Sequence, residues 1–200
     1  MTTPNKFTRM SDADRSRLSP LRRKAVEILE QNVPVTGLTS NDAAFKFLTG
    51  YNTVDLTEKW KTMPTLTTCN AFGGHYAVLL GAPPGCWLSR GLLQLDWVKK
   101  DVPASWKENS ATDGAPKPGD IFAARYVNPT TKEVQKFGHV GVIYCWHDTI
   151  FYDTVESGQG GKSLGLDKMQ WKADHLYHPS NFTGWVDIEI YINGMAGKTV

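Results

Sequence analysis

Three cysteines and five histidines are the side chains of this chain best suited to covalent chemistry. A thiol becomes a useful nucleophile when its surroundings favour the thiolate, and the first turn of a helix does so through its dipole and free N–H groups. Thr67-Thr68-Cys69-Asn70-Ala71-Phe72 reads as such a start, with either threonine as cap and Cys69 in the first turn. The same amides can give one hydrogen bond to a tetrahedral oxyanion. The thiol then needs an imidazole to take its proton and pass it to a leaving amine. His139 is the candidate, because it begins the apolar, β-branched run His139-Val140-Gly141-Val142-Ile143-Tyr144, and a strand would hold the ring rigidly. The imidazole in turn wants a polar partner on its other nitrogen, and the next strand offers Asp153 and Glu156. These two differ by an odd number of positions, so a regular strand turns only one of them to the site.

The remaining thiols and imidazoles carry blander readings. Cys86, in Pro84-Gly85-Cys86-Trp87, is the rival nucleophile, and Cys145 reads as core of an apolar strand. Three cysteines are too few for a disulfide scaffold, although a Cys69–Cys86 pairing stays open in an oxidising compartment. His75 falls inside the Cys69 helix and His147 in a hairpin turn. His175 and His178 have helical spacing, but Tyr177 and Pro179 argue against a helix there. No zinc-ligand spacing is present, so neither a metal nor a cofactor is expected.

These residues need helices followed by a sheet to bring them together. Ser19 and Pro20 predict a helix that ends before Pro34, and a short helix is expected over 41–48. Tyr51–Thr67 reads as loop. The Cys69 helix stops at Gly81 and Pro83-Pro84, and another is expected over Trp87–Lys99. Val102–Lys117 reads as a polar connection. Strands are predicted for Asp120–Arg125, for the His139 run, for Ile150–Glu156 and for Trp185–Ile192, with a glycine-rich loop over Ser157–Lys162. The order predicts an α+β fold, a helical N-terminal layer packed on an antiparallel sheet. Residues 1–19 read as a flexible arm and 20–200 as one domain.

Composition narrows the function classes. The chain has 200 residues, 22 basic against 20 acidic side chains, and seven Trp, seven Tyr and eight Phe, which is the composition of a folded domain. A net charge of +2 without a dense basic block gives no reason to expect nucleic acid. No run approaches the roughly 18 apolar residues of a membrane span. The polar start MTTPNKFTRMSDADRSRLSP lacks the apolar segment of a secretory signal, so the expectation is synthesis in the cytoplasm and export, if any, by a signal-independent route.

Three motifs in order carry a family resemblance: Cys69-x-x-Phe72 on a helix, Lys117-Pro118-Gly119-Asp120-Ile121-Phe122, and Gly138-His139-Val140-Gly141-Val142-Ile143. Together, over about residues 60–165, they resemble the papain-like NlpC-type peptidases and CHAP amidases. The resemblance implies a papain-like fold, Cys69 as nucleophile, His139 as base and Glu156 as third member, with Asp153 in reserve. It implies hydrolysis of an amide bond in peptidoglycan peptides by an antibacterial effector, such as a type VI secretion amidase, or a lysin, with a cognate immunity protein as partner. Asn70 and Gln159 are the expected substrate contacts. Thr68-Cys69-Asn70 stands where NlpC-type members usually have Asp-Cys-Ser. Two rivals keep the fold: a toxin that deamidates or cleaves a host protein, and a non-catalytic binding domain.

Overall fold

The computed structural model describes residues 9–32, 42–62, 67–84, 94–108, 113–127, 130–131, 133–146, 151–159, 163–171, 176–177 and 181–198. Six helices come first: α1 (Asp12–Ser16), α2 (Pro20–Asn32), α3 (Asp42–Thr49), α4 (Thr53–Thr62), α5 (Thr68–Leu80) and α6 (Gln94–Asp101). The strands follow as β1 (Trp106–Glu108), β2 (Ile121–Val127), β3 (Val134–Trp146), β4 (Phe151–Gln159), β5 (Ser163–Trp171), β6 (Leu176–Tyr177) and β7 (Asn181–Val186), and α7 (Ile188–Met195) closes the order. All pairings are antiparallel, in the order β1-β7-β2-β3-β4-β5-β6, and β6 also meets β7 so that the sheet curls on itself. The fold is α+β. Among the described residues no helix is long and apolar enough to cross a membrane.

One face of the sheet holds the main core. Ile121, Val140, Val142, Tyr144, Val155 and Val186 meet Ala25, Val26 and Leu29 of α2, Phe72 and Tyr76 of α5, and Ile188 and Tyr191 of α7. Along β3 these are alternate residues, which leaves His139 and Gly141 to the other face. A smaller cluster of Phe45, Leu56 and Ala71 packs α3 and α4 against the far side of α5. That second contact encloses α5: every residue from Cys69 to Gly74 is buried. The helix is apolar nearly all round, as a helix packed on both sides must be.

Several elements depart from expectation for local reasons. The segment read as loop over Tyr51–Thr67 contains α4, because Asn52 and Asp55 cap it reciprocally, Asp55 N–H to Asn52 Oδ1 and Asn52 Nδ2 to Asp55 Oδ2, each at 2.7 Å. The Val102–Lys117 connection carries a 3-10 turn over Pro103–Ser105 and then β1, the edge of the sheet. The final strand stops at Val186, because Asp187 Oδ1 accepts the N–H groups of Glu189 (3.1 Å) and Ile190 (3.2 Å) and starts α7. Residues 9–19, read as an arm, are anchored. Met10 is buried, and its N–H donates to Tyr144 Oη at 2.7 Å, while Arg15 pairs with Glu30 at 2.6 Å. The Tyr144 hydroxyl donates to the same Glu30, so one carboxylate of α2 collects the segment and β3.

A buried arginine fixes the sheet to the helices. Arg22 of α2 donates to Asp120 Oδ1 (2.7 Å), Asp187 Oδ1 (3.0 Å), Glu189 Oε2 (2.8 Å) and the Pro118 carbonyl (2.8 Å). The second oxygen of Asp120 accepts the Lys117 N–H at 2.7 Å. The Pro118-Gly119-Asp120 turn is thus architectural. Its Gly119 N–H reaches the Ile143 carbonyl at 2.8 Å and so registers the turn on the strand that carries His139.

Candidate active site

Cys69 is the second residue of α5, where its own N–H has no carbonyl four residues earlier in the helix to bond. What brings its sulfur to the sheet is the helix face one turn on. A Cβ on Gly73 would lie 2.7 Å from Val140 Cγ1, so only glycine lets α5 settle this closely on β3. His139 precedes Val140 on that strand, and its ring lies close enough to the Cys69 thiol for each to shift the other's ionisation. Its Nε2 lies 2.6 Å from Glu156 Oε2 on β4, which leaves Nδ1 as the ring nitrogen for sulfur. Cys69, His139 and Glu156 therefore form one contiguous group.

The sheet register explains the pairing with Glu156. Gly141 stands opposite both Phe122 of β2 and Glu156 of β4, and His139 is on the same face two residues earlier. A Cβ on Gly141 would fall 2.5 Å from the Phe122 ring and 3.0 Å from Glu156 Cγ. Its absence lets Phe122 flank the imidazole, with ring centroids 6.1 Å apart, and lets the carboxylate reach Nε2. Thr154, next but one on β4, donates its hydroxyl to Glu156 Oε1 at 2.7 Å, so both carboxylate oxygens are held. Asp153 faces away and lies 3.9 Å from Cys145 Sγ.

The electrostatics follow from burial and these partners. Cys69 is 6% exposed and His139 7%. Burial alone pushes the thiol up, but the His139 ring, the Thr67 hydroxyl and the Val140 N–H outweigh it and hold the thiol below its ordinary range. Burial likewise pushes the imidazolium down, and the thiol and Glu156 overcome it and lift His139 to about 10. Both shifts favour a thiolate–imidazolium pair. Cys145 is the contrast: burial and the charge of Asp153 push its thiol up to about 12.

Other expectations land less well. Asn70 is fully buried, enclosed with its stretch of α5. Gln159 ends β4, paired with Ser163, where a glycine-rich loop was expected. His139 sits in mid-strand, because β3 begins at Val134 and Gly138 pairs within the ladder with Arg125. Cys69 is a free thiol, and His75 lies half buried against Gly50. Cys86, His147, His175, His178 and the loop at 160–162 lie outside the described residues. Among the described residues no group of three His, Cys, Asp or Glu is placed to hold a metal ion. Thr154 and Phe122 were not singled out from sequence. The alternation that places Glu156 toward His139 places Thr154 there too, and was the signal for it.

Compared with known proteins, the chain matches no family model, no curated protein and no solved structure.

Proposed function

We propose that this protein is a papain-like cysteine hydrolase that cuts an amide bond in peptidoglycan peptides. The observation that carries the chemistry is His139 held between the Cys69 thiol and Glu156, with the thiol depressed and the imidazole raised. Cys69 Sγ attacks the carbonyl carbon, and the C=O electron pair moves to oxygen, toward the Cys69 N–H. His139 gives its proton to the amine nitrogen as the C–N bond breaks and a thioester remains. Water then adds to the thioester and yields a proton to His139, and cleavage of the C–S bond returns the thiolate and releases the acid. Glu156 keeps the ring oriented throughout.

The wall substrate rests on the likeness of the three motifs to NlpC-type and CHAP enzymes. The same likeness supports an effector delivered to competitors, with an immunity protein on the producer's side. Incubation with purified sacculi and mass spectrometry of the soluble fraction tests the reading. Peptides released by the wild type and not by Cys69→Ala are the expected result. No release from sacculi, together with deamidation or cleavage of a protein substrate, transfers the chemistry to a host-directed toxin. No turnover of either, with Cys69 inert to iodoacetamide, leaves a binding domain.

A further inference from the structure

Thr67 occupies the N-cap of α5, where a hydroxyl ordinarily accepts an N–H from the second or third helical residue. It makes no such bond. Its Oγ1 lies instead 3.0 Å from Cys69 Sγ. A thiolate can only accept, so in the ionised state the hydroxyl is the donor. The sulfur is thus approached from two elements at once: by Thr67 from the mouth of its own helix, and by His139 and the Val140 N–H from β3. Donors on two sides fix the direction of the sulfur, which a single contact to a rotatable side chain does not.

We propose that Thr67 is a positioning residue for Cys69, its hydroxyl diverted from capping the helix to the sulfur, where it holds Sγ toward His139 and leaves the Cys69 amide open to an oxyanion. The inference rests on Cys69 being the nucleophile, and it is independent of which amide bond is cut. Two properties follow that a capping threonine would not have. Removing the hydroxyl should leave helix stability nearly unchanged, since no cap bond is lost. It should also move the ionisation of the thiol, since a charge-assisted donor disappears.

The test is the pH dependence of iodoacetamide alkylation at Cys69, followed by intact mass with the site mapped by peptide digestion. Thr67→Val should raise the midpoint by about one pH unit, a loss of roughly tenfold in rate on the acid limb, with the melting temperature kept. Thr67→Ser, which retains the hydroxyl, should bring the midpoint back. Thr67→Ala removes the same hydroxyl without the β-branch and should repeat the Thr67→Val shift. An unshifted profile in both hydroxyl-free variants overturns the proposal, and so does unfolding of both, which would make Thr67 a structural cap. The readout needs no substrate: a shifted midpoint with no release from sacculi sustains this inference while the proposed function falls.

Discussion

Cys69 and Cys145 are both free thiols in one small protein, yet their surroundings push them in opposite directions. Cys69 faces an imidazole, a hydroxyl and an amide, and Cys145 faces a carboxylate. At pH 6.5 iodoacetamide should therefore label Cys69 and spare Cys145, which peptide mapping reads directly. Two ionisations should bound the pH profile of turnover. Its acid limb marks protonation of the thiolate and lies below the ordinary thiol range. Its alkaline limb marks loss of the His139 proton, needed by the leaving amine, and lies near pH 10. Glu156→Gln removes the charge that helps hold that proton. The alkaline limb should move down and the alkylation midpoint up, with turnover falling by about tenfold or more. An unchanged profile in Glu156→Gln would remove Glu156 from the site.

At the scale of elements, the site depends on how closely α5 lies on β3. Gly73→Ala adds a methyl 2.7 Å from Val140 Cγ1, and α5 must lift from the strand to make room. Overpacking should cost about 1–3 kcal/mol, more than the ~1 kcal/mol gained in helix propensity. Urea titration should show the lost stability, and alkylation at pH 6.5 should slow as the sulfur leaves His139. Asn52→Ala removes the reciprocal cap of α4 and should cost about 1 kcal/mol without altering Cys69 reactivity. This contrast separates loss of fold from loss of site. Part of the candidate site was legible because its signals are local: threonines before an apolar run place Cys69 at a helix start, and alternation on β4 lets only one of Asp153 and Glu156 face His139, the family resemblance naming Glu156. The closeness of α5 and β3 was not, since Gly73 and Gly141 carry no periodic signal and acquire meaning only from Val140 and Phe122. The C-terminal strand was misread because Ile188, Tyr191, Ile192 and Met195 follow β7 without a break in hydrophobicity, and Asp187 alone marks the change of period.

At the scale of the molecule, Arg22 binds three carboxylates from two distant parts of the chain. Arg22→Met would leave Asp120 buried without its counter-charge and should cost about 3–5 kcal/mol, read as a lowered denaturant midpoint. A protein that keeps its midpoint after this change would show that the cluster contributes nothing net. The cluster also bears on the order of synthesis. Arg22 is translated well before Asp187 and Glu189. Until α7 emerges, the arginine has only part of its set, and the turn that registers the His139 strand lacks its full support. Cys69 and His139 are both translated before that closure, so an aligned thiol–imidazole pair is a late event on the ribosome. Whatever chemistry Cys69 and His139 perform thus waits for residues made after both of them.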